Sequence, residues 1–172
     1  MKVIEYLNKS LKTLEGSLIG IGFESEKLVN TIEKNNKITE CNLLDCVSTD
    51  LEDGKISKIR IGKLRKKFKK KKPDYIIYNV KNLKDYKDKF VYDSIYLSKK
   101  EVVFYDLDKL DTNSIVRRYK RYGTLEKIEC SDGVIYKVNN LKKITKSNEF
   151  INKIRDNTIS IFDFISNLLS DS

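Results

Sequence analysis

Gly20-Ile21-Gly22 is the stretch of this chain whose residue types and spacing could serve a ligand. It follows the apolar residues Leu18 and Ile19 and stands just before Ser25, a residue type that caps helices. Glycines at such a point let the backbone turn sharply and approach a bound molecule closely. A helix N-terminus behind the turn then favours an anion or a polar group. A lone GxG signals this only weakly, and the same letters suit a turn that merely packs a helix on a strand.

Charge supplies the second candidate. The run Lys63 to Lys72, KLRKKFKKKK, places Lys63, Arg65, Lys66, Lys67, Lys69 and Lys70 where they could neutralise nucleic-acid phosphates and release counterions. Arg117, Arg118 and Arg121, interleaved with Tyr119 and Tyr122, would add guanidinium and stacking capacity. The alternative is a solvated lysine face on a helix anchored by Leu64 and Phe68, with both tyrosines on an inward stripe. Asp106 and Asp108 end an apolar run and could do acid–base work if their surroundings set their pKa values apart, although solvated acids suit that spacing better. The acids Asp45, Asp50, Glu52 and Asp53 lack the spacing of a calcium loop and read as a polar surface turn.

Composition narrows the classes. The chain has 172 residues, enough for one domain with a single core. It carries 35 basic and 25 acidic residues for a net charge of +10, which favours polyanionic partners or reflects a lysine-rich coding habit. There is no histidine, so histidine triads, histidine bases and histidine metal ligands are excluded. Cys41, Cys46 and Cys130 form no CxxC; free thiols in a reducing, cytoplasmic setting fit them, and zinc does not. No run approaches the ~18 apolar residues of a membrane span.

The elements that must position these residues can be read from periodicity. Ile4, Leu7, Leu11 and Leu14 make one helical stripe, broken by Gly16, that predicts a leading helix on the edge of the domain. Strand, helix and strand follow over Ser17–Gly22, Ser25–Lys34 and Lys37–Leu43. A helix over Ile59–Lys71 ends before Pro73, and Asp74–Val80 is a strand. Asn82 caps a helix with Leu83, Tyr86, Phe90 and Ile95 inward, then Glu101–Leu107 is a strand. A helix bearing Ile115, Tyr119 and Tyr122 leads to two runs joined by Asp132-Gly133, a hairpin signal. An amphipathic helix over Asn148–Leu169 closes the chain, with Phe150, Ile154, Ile161, Ile165 and Leu168 on one stripe and Ile151, Phe162 and Leu169 beside it. Such alternation predicts an α/β fold, a mostly parallel Rossmann-like sheet flanked by helices, with a C-terminal antiparallel hairpin and terminal helices.

That order resembles the class I S-adenosylmethionine-dependent methyltransferases over roughly Leu14 to Asn139. Gly20 and Gly22 match two glycines of the family's first motif, Glu24 stands where the third would be, and Leu18 stands where an acid would be. Asn42 falls nearest the acid that ends the second strand and holds the cofactor ribose, with Glu40 and Asp45 on either side. A neutral amide accepts those hydroxyls more weakly than a carboxylate. Asn79-Val80 falls at the family's acceptor-side turn without its prolines or aromatic. The resemblance implies S-adenosylmethionine as cofactor, with Gly20, Gly22, Glu24 and Asn42 around it, Asn79 as the catalytic-side residue, and a nucleic acid or other polyanion as acceptor. It divides the chain into a helix (1–15), a methyltransferase-like domain (16–140) and a helical extension (141–172). The alternative is a non-enzymatic, basic nucleic-acid-binding or complex-assembly module on the same fold, self-associating or meeting a protein through its terminal helices.

Overall fold

A computed structural model gives the fold for residues 1–44, 64–145, 147–152 and 154–155. Two compact units result, Met1–Lys142 and Lys143–Ser172. In the first unit, β1 (Gly16–Ile21), β2 (Ile38–Leu44), β3 (Tyr75–Asn79) and β4 (Glu101–Asp106) are parallel, while β5 (Thr124–Cys130) and β6 (Gly133–Asn139) form an antiparallel hairpin. The sheet order is β2-β1-β3-β4-β6-β5, with β6 antiparallel to β4. The mixed sheet predicted from the alternation of patterns is therefore the observed one.

Helices cover both faces because successive strand side chains point to opposite sides. On one face α1 (Val3–Thr13) and α2 (Glu26–Lys34) bury Val3, Leu7, Leu11, Leu28, Val29 and Ile32 against Leu18, Leu43, Ile77 and Val103. The leading helix thus lies within the core layer rather than on an edge. It is also tied at its start, because Val3 N donates to Asp132 Oδ1 at 2.8 Å. The hairpin's turn residue therefore satisfies one of the amides that a helix N-terminus leaves open.

The opposite face is aromatic. α3 (Leu64–Phe68) packs beside α4 (Lys87–Leu97), which follows a 3-10 turn (Val80–Tyr86), and α5 (Asn113–Tyr122) lies next to α4. The Phe104 ring stacks on Tyr78, Tyr119 and Tyr136 at 5.5, 5.1 and 4.7 Å. The Tyr78 and Tyr119 hydroxyls meet at 3.0 Å, and Ser94 Oγ reaches Tyr119 at 2.7 Å. All three side chains are buried, so the hydroxyls satisfy one another where water cannot. Burial raises both phenol pKa values. Asn82, expected as a cap, instead lies inside the 3-10 turn.

In the second unit residues 147–152 are helical, and Thr145 starts the turn by accepting from Asn148 N at its hydroxyl and from Glu149 N at its carbonyl. Phe150, Ile151 and Ile154 of the expected C-terminal stripe are exposed. Ile161, Phe162, Ile165, Leu168 and Leu169 lie outside the described residues, as do Lys63, Cys46 and the acids Asp45, Asp50, Glu52 and Asp53. No helix among the described residues is long and apolar enough to cross a membrane.

Candidate functional site

Among the four parallel strands the order reverses once. From β1 the chain crosses to β2 on one side, then returns to β3 on the other. Ligands of open parallel sheets bind at the carboxyl ends of the strands that flank such a reversal. Here those ends are Ile21-Gly22 and Asn79.

Gly22 leaves β1 with φ +70°, a left-handed geometry that glycine adopts without strain. Its amide donates to Leu44 O at 2.8 Å, and its carbonyl accepts from the buried Tyr105 hydroxyl at 2.9 Å. A Cβ on Gly22 would collide with the Asn82 carboxamide, 2.5 Å from its Cγ, and would stand 3.1 Å from Asn79 Cβ. The turn is thus held on three sides and faces two asparagines.

Those asparagines are not satisfied. Asn79 is fully buried, and its Oδ1 accepts from Lys81 N at 3.1 Å. Its Nδ2 has no partner, and neither does Asn82 Oδ1, although both atoms are shielded from solvent. A buried donor or acceptor left open costs about 1–3 kcal/mol, so a native protein retains such a pair for a reason. Together they offer one donor and one acceptor beside a backbone turn. Beside them Lys81 Nζ lies 3.6 Å from both Glu24 Oε1 and Asp108 Oδ2, making a three-residue ion bridge.

Of the residues singled out in the sequence, Gly22, Glu24 and Asn79 meet here. Gly20 does not: a Cβ there would stand 2.7 Å from Leu43 and 3.0 Å from the buried Phe23 ring, so its missing side chain makes room for core packing. Asn42 is in register with Ile19, two residues short of the end of β2. It donates to Glu40 Oε1 at 3.3 Å, away from the strand end where a ribose would lie. Asn82 had no local signal, because its meeting with Gly22 joins residues 60 positions apart in sequence. Asp106, the buried acid that ends β4, accepts from Asp108 N at 2.9 Å and so shapes the turn there.

The basic residues divide. Lys66, Lys67, Lys69 and Lys70 are exposed, as phosphate contacts require. Arg65 faces inward, 3.5 Å from the buried Asp93 and 4.1 Å from the Tyr96 ring centre, so it fastens α3 to α4. Arg118 is buried, and Arg117 and Arg121 are half-buried. Tyr119 and Tyr122 are core residues, and no stacking platform forms on α5.

The solved structures place this architecture. Human methyltransferase-like protein 13, in complex with SAH, superimposes with a TM-score of 0.59 at 10% identity, covering 87% of this chain and 83% of that one. A protein from Clostridium thermocellum, provisionally described as an rRNA-methylase, also gives 0.59, at 6% identity, covering 84% of this chain and 98% of that one. The fold is that of the class I methyltransferases. An O-methyltransferase family protein from Burkholderia thailandensis gives a TM-score of 0.55 at 8% identity over 80% of this chain, which spans 56% of that protein. No protein-family model matches the sequence, and no curated protein matches it either.

Gly22, Asn79 and Asn82 would offer a nucleoside-type ligand a backbone turn, one donor and one acceptor, whereas Gly20 packs on Leu43 and Phe23 and Asn42 stops short of the strand end.

Proposed function

We propose that the domain binds S-adenosylmethionine in the crevice between the carboxyl ends of β1 and β3, for transfer to a nucleic acid or other polyanion. The observation that carries this reading is the pair of unpartnered, buried amide atoms, Asn79 Nδ2 and Asn82 Oδ1, beside the left-handed Gly22. Gly22 admits the ligand to the backbone, Asn79 donates to it and Asn82 accepts from it. When bound, the cofactor supplies an electrophilic methyl group on a sulfonium. The chain's part is to hold that methyl in line with the acceptor, a task of positioning that needs no histidine. Glu24 and Asp108 hold Lys81 beside this turn. The net charge of +10 and the exposed Lys66, Lys67, Lys69 and Lys70 support a polyanionic acceptor.

Calorimetry tests the cofactor. Saturable heat with S-adenosylmethionine is expected, weakened about tenfold in Asn79→Ala, which corresponds to about 1.4 kcal/mol. Absence of heat at about 1 mM cofactor, a binding energy weaker than about 4 kcal/mol, would overturn the reading. A second reading, a non-enzymatic nucleic-acid-binding or assembly module, is favoured by Glu24, which replaces a glycine and closes the ion bridge beside this turn. Retained nucleic-acid binding without cofactor heat would establish it.

A further inference from the structure

We infer that the amino edge of the sheet is a docking surface for the phosphodiester backbone of a folded nucleic acid. This rests on the polyanion half of the proposed function and not on the cofactor. The edge is where β1, β2, β3 and β4 begin. An open depression of about 230 Å³ lies there, lined by Lys12, Thr31, Lys34, Asn35, Asn36 and Lys37. Its floor is rigid: Asn35 is buried, its Nδ2 donates to Leu11 O and Leu14 O, and its Oδ1 accepts from Lys37 N. No carboxylate among the described residues lines it.

The lysines continue along the edge past this depression. Lys71 reaches Glu40 near the start of β2, and Lys99 and Lys100 enter β4 beside Asp74. The carboxylates Glu15, Glu40 and Asp74 are each matched by a lysine, namely Lys37, Lys71 and Lys100. Lys12 and Lys34 are exposed and have no ion pair among the described residues, so their charge is available. The available groups are lysines, which act as point charges on phosphates without the planar fork that reads bases. Among the described residues of the first unit the exposed large apolar side chains are Met1 and Leu110, and neither belongs to this edge. Insertion into a lipid surface would need such groups, so a nucleic acid fits better than a membrane.

Distance makes the inference specific. The six residues of β1 separate this edge from Gly22, a span of about 20 Å at roughly 3.3 Å per residue. An acceptor in the crevice therefore sits about 20 Å from phosphates held at the amino edge. A single nucleotide cannot span that gap, whereas a folded RNA can.

The test is fluorescence anisotropy with a labelled RNA hairpin, without cofactor, at about 50 and about 200 mM salt. Binding at the lower salt is expected, with steep weakening at the higher. Lys12→Glu with Lys34→Glu should lower affinity about tenfold and flatten the salt slope by about two units. Lys89→Glu with Lys120→Glu, an equal charge change on exposed α4 and α5 sites, should change little. No binding at low salt, equal losses in both double variants, or binding to anionic vesicles in preference to the hairpin would each overturn the proposal. Far-UV circular dichroism of each variant verifies folding. Because cofactor is absent, a negative result leaves the calorimetric reading of the crevice untouched.

Discussion

The two ends of β1 solve the same backbone problem with opposite outcomes. Each ends in a glycine with positive φ, Gly16 at +119° and Gly22 at +70°. Each has a side chain from the β3 region where its own Cβ would be, Asp74 at one end and Asn82 at the other. At the amino end the polar atoms of Asp74 are all used. Asp74 Oδ2 accepts from Ser17 N and Ser17 Oγ at 2.9 and 3.1 Å, its carbonyl accepts from Lys100 N and Ser98 Oγ, and its Oδ1 lies 3.7 Å from Lys100 Nζ. At the carboxyl end two amide atoms are left over. One strand therefore carries a finished joint at its base and an unfinished one at its tip, and the unfinished one is where the proposed ligand would sit.

Removing the finished joint should have the largest effect. Asp74→Ala takes away two bonds to a charged acceptor and should cost about 3 kcal/mol, or roughly 6–12 °C in a thermal melt, while leaving calorimetric cofactor binding intact below the transition. A smaller cost, about 2 kcal/mol, is expected for Gly22→Ala, from left-handed strain and displacement of Asn82, and here cofactor heat should vanish as well. Asn79→Ala should reverse the Asp74 pattern, with stability changed by no more than about 1 kcal/mol and affinity lowered tenfold. If Asn79→Ala instead unfolds the domain, the two ends are alike and the contrast fails.

Acid sharpens the same contrast. Burial pushes the Asp74 carboxyl up, but the Ser17 backbone and hydroxyl bonds and the Lys100 charge outweigh it, and its pKa lies below the ordinary 3.8. A carboxylate with a lowered folded pKa contributes stability that is present above its unfolded value and is lost as pH falls through the folded one. Urea midpoints should therefore fall below about pH 4 in the parent and fall less steeply in Asp74→Asn. The smallest effect is expected for Lys81→Met: the exposed bridge to Glu24 and Asp108 contributes within about 0.5 kcal/mol, so the urea midpoint should hold.

Element order was legible because it is written locally. The strand letters of Leu18 to Ile21, the Leu28-Val29-Ile32 face and the Asp132-Gly133 turn each carry their signal within a few residues, and all form as read. The site was half legible. Gly22 and Asn79 end strands, and strand ends can be read. The surroundings of Gly20 and Asn42 were not legible because they depend on register across the sheet, which places Leu43 beside Gly20 and stops Asn42 short of the strand end. Arg118 misled because a charged letter on a helix says nothing of how deeply its neighbours bury it.

The ring stack around Phe104 has an optical consequence. The chain has ten tyrosines and no tryptophan, so its near-ultraviolet spectrum belongs to tyrosine and phenylalanine alone. Four of those rings are locked face to face in the interior, which makes near-ultraviolet dichroism a reporter of native packing with no label added. Burial holds the Tyr78 and Tyr119 phenols well above their ordinary range, so in alkali these two should yield phenolate only as the interior opens, and their absorbance change measures how firmly that layer is closed.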